Sequence, residues 1–338
     1  MKIRQTYFMA MSIFGVVMLC FPAYGDPALR SQSGGQVKVN VGVSNSLDDI
    51  VVYFGKENKY FEKEGLDICH KFGSSNFHAL ARGTLDVFAT MFNANLMELM
   101  RESGIRIVAG HLRKVKGKPS ARYYLVRKEL SGKIRTFADL KGRIVAAPAA
   151  GTTEHIWFLR QLGKAGLSEN DLAIQASSPD PIIFLNKMVD VQFIAEPWAG
   201  QIINMGVAEV FAGTDIADET SQLKFLCYSG SFMKNRQAAR RFMAAYLRSI
   251  REFYKAKPED IEVLAVKIWG MPLDAEALSR LHMAADGKID TQALTAAQEY
   301  ALQKRWIKSK ADEKDIIDSS YGRYANEVLR NEDMSLEQ

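Results

Sequence analysis

From Val37 onward the sequence switches repeatedly between period-two apolar runs and helical spacing, which restricts the chain to α/β architectures. Val37 to Val43 alternates apolar and polar residues and reads as a strand. Ser44-Asn45-Ser46-Leu47-Asp48-Asp49 is a loop entering a helix over Ile50 to Phe61. Strands are predicted at Leu66–Phe72, Leu85–Phe92 and Ile105–Gly110, with the loop Gly73-Ser74-Ser75-Asn76, a helix ending at Gly83 and a helix opened by Asn93 between them. A basic link containing Gly and Pro, Arg113 to Ser120, ends this stretch, and the pattern restarts. Strands follow at Ala121–Arg127, Ile144–Ala147, Leu172–Ala176 and Val191–Ala195, with a long helix starting at Gly151-Thr152-Thr153-Glu154. A strand from Leu223 leads to a helix-rich tail, with helices predicted at 237–256, 259–269, 274–284, 291–305 and 312–330. Strands alternating with helices predict a mainly parallel sheet in each of two α/β lobes. A short echo relates the halves: Leu80 to Val87 resembles Phe184 to Val191, each a helix end, a turn, and an Asp before a strand.

The N-terminus carries an address. Lys2 and Arg4 precede an apolar run from Tyr7 to Phe21, followed by Ala23-Tyr24-Gly25 with small residues at the two positions a signal peptidase reads. At 15 residues the run is short of the roughly 20 needed to span a bilayer. Residues 1–25 are therefore expected to be a cleaved secretory signal, with cleavage near Gly25, and 26–36 a linker. Leu19 before Cys20 argues against lipid attachment, which needs a small residue there. About 313 residues remain, enough for two lobes with full cores.

Composition excludes several functions. The chain carries 44 basic and 39 acidic residues, and loss of Lys2 and Arg4 brings these nearly level. The densest basic stretch, Arg236 to Arg251, is interleaved with Ala239, Phe242, Met243, Tyr246, Leu247 and Ile250 at helical spacing, so it reads as the wet side of a helix rather than a nucleic-acid surface. Only Cys69 and Cys227 remain after cleavage. An exported chain can pair them, but Cys69 sits in an apolar strand, where free buried cysteines are common. His70, His78, His111, His155 and His282 are scattered, and no metal-ligand spacing occurs. No GxSxG elbow, P-loop or GxGxxG exists, and Ser231 has no recognisable base. No cofactor, metal or catalytic residue is expected.

In open parallel sheets ligands bind outside the carboxyl ends of the strands. Four loops there are rich in small polar residues: Ser44-Asn45-Ser46, Gly73-Ser74-Ser75-Asn76, Asn93-Ala94-Asn95 and Gly151-Thr152-Thr153. Their hydroxyls and backbone N–H groups suit ligand oxygens, although the same residues are ordinary helix caps, and Ser46 with Asp49 resembles a capping box. Asp48, Asp49, Glu154 and Glu196 disfavour a bare multivalent anion unless Arg122 or another base compensates. Trp198, after Glu196-Pro197, is the leading aromatic candidate for ligand contact, with a partly buried structural Trp as the alternative. Tyr123 and Tyr124 alternate on a strand, so only one can face a cleft.

Several of these segments together resemble periplasmic substrate-binding proteins of the nitrate/sulfonate/taurine and thiamine-precursor group. Val52 to Ile68, including Lys59-Tyr60-Phe61-Glu62-Lys63-Glu64-Gly65-Leu66-Asp67-Ile68, is similar to a run those proteins carry after the first helix. Ala81-Arg82-Gly83-Thr84-Leu85-Asp86-Val87 resembles their Ala-x-Gly-x-x-Asp turn. Phe137-Ala138-Asp139-Leu140-Lys141-Gly142, with Gly151-Thr152-Thr153 after it, resembles their entry to the second lobe, and Glu196-Pro197 their Glu-Pro. The resemblance covers roughly residues 37–255. It implies a type II periplasmic-binding-protein fold, with lobe I at 37–112 and 228–338, lobe II at 113–227, and connecting strands near 109–122 and 222–232. It also implies a monomer that closes over a small organic or oxyanion ligand and delivers it to an ABC-type permease. By family position the ligand touches Ser44, Asn45, Ser46, Ser74, Ser75, Asn76, Asn93, Thr152, Thr153, Glu196 and Trp198, and the acidic Asp48 beside the first loop is expected at the site with them. Lys187-Met188 stands where a Gly is usual, and Ser46 to Asp49 where many relatives have Pro and aromatic residues, which leaves the ligand class open. Two other classes use this fold: ligand-sensing partners of membrane receptors, and pyrimidine-precursor synthases, whose iron-binding Cys-rich run has no counterpart here.

Overall fold

A computed structural model describes residues 35–73, 76–177, 181–211, 219–273 and 276–336. The expected signal segment and nearly all of the linker lie outside these, as do Ser74 and Ser75. Among the described residues ten strands form two five-stranded sheets: β1 Val37–Val43, β2 Leu66–Phe72, β3 Val87–Thr90, β4 Arg106–Lys114, β5 Arg122–Arg127, β6 Ile144–Ala147, β7 Ala173–Ala176, β8 Val191–Ala195, β9 Ala208–Val210 and β10 Ser221–Tyr228. The first sheet runs β2-β1-β3-β10-β4 and the second β7-β6-β8-β5-β9.

The two orders are the same order. β1 pairs parallel with β2 and β3, as β6 does with β7 and β8. The fourth strand runs antiparallel in each: β10 against β3 and β4, and β5 against β8 and β9. The sheets are thus mixed rather than mainly parallel, because each receives its fourth strand as the chain passes between lobes. The sequence echo falls on equivalent positions. Gly83 and Lys187 both turn the chain through positive φ before β3 and β8. Asp86 Oδ2 then accepts the β1 amide of Asn40 at 2.8 Å, and Asp190 Oδ2 the β6 amide of Ile144 at 3.1 Å.

Because β10 belongs to the first sheet and β4 extends to Lys114, the sheets divide the chain between 114 and 122 and between 210 and 221. The boundaries expected at 112/113 and 227/228 cut into both strands. Apolar runs alone do not reveal which sheet claims a strand.

Two tail helices also depart from expectation, for one reason. The open edge of β4 is covered by extended segments: Met283 bridges Leu112, Ala284 N–H donates to the His111 carbonyl at 2.8 Å, Ile317 bridges Ile107, and Asp318 N–H donates to the Ile107 carbonyl at 2.9 Å. Edge pairing overrides helical spacing there. Among the described residues 274–284 keeps only the turn Leu278–Arg280, and 312–330 splits into Glu313–Ile316 and Ser320–Leu336. The helix Arg236–Phe253 buries its apolar stripe under the first sheet. Gly55 lets it approach: a Cβ there would lie 2.0 Å from Ser249 Oγ.

Cys69 on β2 and Cys227 on β10 are free thiols three strands apart, roughly 14 Å at normal strand spacing, well beyond disulfide reach.

Candidate functional site

The loop after β1 takes its shape from Asp49. Its Oδ2 accepts Ser44 N–H at 2.7 Å, Ser44 Oγ–H at 3.1 Å and Ser46 N–H at 3.3 Å, completing the capping box with Ser46. Asn45 takes the left-handed conformation, φ 60°, which Asn tolerates. Its carbonyl thereby faces the second lobe, where Trp198 Nε1–H donates to it at 3.1 Å. Leu47 N–H donates to the Glu196 carbonyl at 2.9 Å, a second bond between lobes.

Behind this loop lies a buried ionic network. Asp48, 2% exposed, receives Lys224 Nζ at 2.6 Å and His111 Nε2 at 2.9 Å, with Arg122 Nη2 at 3.6 Å and the Ser46 hydroxyl also directed to it. His111 Nδ1 meets the Tyr246 hydroxyl. In the neutral imidazole the carboxylate places the proton on Nε2, so Nδ1 accepts from Tyr246. Burial opposes ionisation of Asp48, but the Lys224 ammonium, the His111 hydrogen bond and the Arg122 charge outweigh it, holding the carboxyl well below its usual range. Burial pushes Asp49 and Glu154 up, against the pull of Lys224 on the first and of Arg122, Lys224 and Lys114 on the second. Arg122 Nε sits 3.2 Å from Glu154 Oε1.

Lys224 and Arg122 occupy the corresponding strands β10 and β5, and both reach the same cavity of about 140 Å³. Ser44, Ser46 and Ser177 add hydroxyls to its wall, and Met91, Phe193 and Ile194 add apolar surface. The size is comparable to a cavity that admits benzene. A larger hollow of about 540 Å³ opens beside Asp286, Lys288 and Arg323, but its walls come from the tail of the first lobe alone. The interlobe cavity combines two cations with an apolar flank, which suits a small anion with a short apolar body; the Ser44, Ser46 and Ser177 hydroxyl protons are already given to Asp49, Asp48 and the Phe193 carbonyl.

The expected site residues fall into distinct positions. Ser44 and Ser46 line the cavity. Asp48 lies behind it, in contact with both cations. Asn45, Glu196 and Trp198 join the lobes; Glu196 Oε2 also accepts Gly200 N–H at 3.0 Å. Asn76 is buried with Nδ2 directed to the Val43 carbonyl at 3.4 Å, and Asn93 caps its helix by accepting Leu96 N–H at 3.0 Å. Thr152 is wholly buried: its hydroxyl donates to the Ala149 carbonyl at 2.7 Å and accepts His155 N–H at 3.3 Å, so it caps Thr153–Lys164 and has no proton to offer a ligand. Thr153 is half-buried in the first turn of that helix. Tyr123 and Tyr124 pack into separate cores on the two faces of the second sheet. Lys224, His111, Tyr246 and Ser177 escaped the sequence reading. The available signal was a lysine inside the apolar run Leu223 to Tyr228, since buried lysines are rare unless paired.

The NMT1/THI5-like family model matches residues 47–261. The chain belongs to the NMT1/THI5-like family. Solved structures share the two-lobed periplasmic-binding fold with this family member. The alkanesulfonate-binding protein SsuA from Xanthomonas axonopodis pv. citri, bound to MOPS, is 18% identical, over 87% of this chain and 99% of that one, with a TM-score of 0.62. The periplasmic nitrate-binding protein NrtA from Synechocystis PCC 6803 is 13% identical, over 87% and 89%, at 0.67. The desulfurization enzyme DSZB is 12% identical, over 87% and 100%, at 0.61. At such identities the likeness carries the fold alone. No curated protein sequence matches the chain.

Proposed function

We propose that this protein is an extracytoplasmic solute-binding protein that closes its lobes over a small organic anion or oxyanion and delivers it to an ABC-type permease in the inner membrane. One observation carries the reading: Arg122 of the second sheet and Lys224 of the first meet at one small cavity. A ligand touching both favours the closed arrangement, since only there are both cations in reach. Family membership, the binding proteins that share the fold, and the signal-like N-terminus support it. The protein is read as a periplasmic monomer released by cleavage near Gly25. Among the described residues no helix is long and apolar enough to cross a membrane.

Binding is preferred over catalysis because the basic group beside the wall serines, Lys224 at 3.0 Å from Ser44 and Ser46 Oγ, donates to them and is ion-paired to Asp48, and burial pushes the Cys227 thiol up to about 12, far from a thiolate nucleophile. Mass spectrometry of compounds released from purified protein, followed by calorimetry with the compound found, tests the reading. Arg122→Ala is expected to weaken that ligand at least tenfold, the scale of a charged hydrogen bond. A folded Arg122→Ala variant that binds with unchanged affinity overturns the site.

A further inference from the structure

Arg122 and Lys224 line the interlobe cavity, and four further buried charged side chains interact with them: the cation Lys114 and the carboxylates Asp48, Asp49 and Glu154. Cations and carboxylates are equal in number, so an anionic ligand brings one negative charge too many into a region with little water. The three carboxylates are not held alike. Asp48 receives Lys224, His111 and Ser46, and Asp49 receives two backbone amides and the Ser44 hydroxyl. Glu154 is 4% exposed, and neither of its oxygens has a hydrogen bond; Arg122 Nε approaches at 3.2 Å without the geometry of one. A carboxylate without hydrogen-bond donors is the one most easily neutralised by a proton. The groups that face it are Arg122 and Tyr124 from β5, Lys224 from β10, Lys114 from β4 and Asp48 from the loop after β1.

We propose that Glu154 sets the charge class of the ligand: a monoanion settling against Arg122 and Lys224 is taken up together with one proton on Glu154. The proton comes from a buffer acid or hydronium in solvent: an O–H bond forms on Glu154 as the donor's bond to that proton breaks, and no other covalent bond changes. Glu154 acts through Arg122, the residue it shares with the ligand, and is a specificity-determining residue. A dianion requires a second proton, which would have to go to a carboxylate already accepting the hydrogen bonds named above, so dianions are discriminated against. This rests on the anion-binding reading of the cavity.

The test uses three probes of similar size: ethanesulfonate and propanoate as monoanions and sulfate as the dianion. Calorimetry in two cationic buffers of different ionisation enthalpy reads protons taken up per ligand. For the wild type we expect close to one proton with either monoanion, and an affinity that falls as pH rises above the value Glu154 has in the ligand-free protein, which burial has already raised, by up to tenfold per pH unit, the limit for one linked proton. Sulfate is expected to bind at least tenfold more weakly than ethanesulfonate at neutral pH. In Glu154→Gln the uptake should vanish, the pH dependence flatten and the sulfate deficit shrink. Monoanion binding by the wild type without proton uptake overturns the proposal and leaves the anion site standing, and this measurement needs no variant to fold. Uptake that persists in folded Glu154→Gln overturns it too. Failure of all three probes to bind overturns the anion site and this proposal with it.

Discussion

Trp198 of the second lobe donates its indole N–H to the backbone carbonyl of Asn45 in the first, across 3.1 Å. The ring that the sequence marks for ligand contact is thus occupied in holding the lobes together. Trp198→Phe keeps the aromatic bulk and removes the donor. The expected loss is about 0.5–1.5 kcal/mol, the net worth of one hydrogen bond. Ligand affinity should fall several-fold, and scattering should show a larger radius at subsaturating ligand, with an unchanged circular dichroism spectrum. Unaltered affinity would place the lobe contact outside the binding equilibrium.

Lys224→Met leaves Asp48 buried with its nearest cation gone. Breaking a buried ion pair from one side typically destabilises by about 3–5 kcal/mol. The double change Lys224→Met with Asp48→Asn removes both charges and should regain much of that loss. Urea denaturation of the two variants measures the difference, and equal stabilities would show that Asp48 is not held by Lys224.

Acid should spare Asp48 longest. Its carboxyl is held well below the usual range in the folded protein, against about 3.9 unfolded. Its stabilising contribution is therefore present above pH 3.9 and is lost as pH falls through the lower folded value. Glu154 behaves oppositely. Its folded value is raised, so its contribution is complete below the unfolded value and lost as pH rises through the folded one. Asp48→Asn should destabilise at neutral pH, whereas Glu154→Gln should stabilise there and have little effect near pH 4. Denaturation curves across pH that show the same sign for both variants would contradict these assignments.

Thr152→Ala removes a helix cap. It should lower stability by about 1 kcal/mol, measured by thermal denaturation, while leaving the affinity for the native ligand within twofold. A larger loss of affinity in a stable variant would return Thr152 to the ligand.

Thiol titration should find no accessible Cys227 in the folded protein and two free thiols in denaturant without reductant. One disulfide per chain in the intact mass would contradict the strand order.

Much of the fold was legible in the sequence because burial leaves a local trace. Val37 to Val43 and Ile144 to Ala147 alternate or run apolar and are strands as expected, and Ser46 with Asp49 forms the capping box its spacing announces. What escaped depends on partners far along the chain. The segments around Met283 and Ile317 have helical composition and are drawn out by the edge of β4. The site was legible only in part for the same reason. Ser44 and Ser46 could be placed from their loop, but His111 and Lys224 are 63 and 176 residues from Asp48, and nothing local marks them as its neighbours. Asn93 and Thr152 read equally as caps or ligand donors because both roles need the same residue types, and the structure shows them as caps.

The position of β10 governs the order in which the protein can assemble. It lies between β3 and β4, and it arrives after the whole second lobe has been made. Until then the first 114 residues hold two strands whose facing edges have no occupant, so that sheet cannot close and its core cannot be sealed. The second sheet needs only residues 122–210 and can fold from a continuous stretch. The lobe that begins first is therefore the one that finishes last. The emerging chain stays open through most of its synthesis, and Lys224, which arrives on that final strand, brings the cavity the second of its two cations in the same step that completes the sheet.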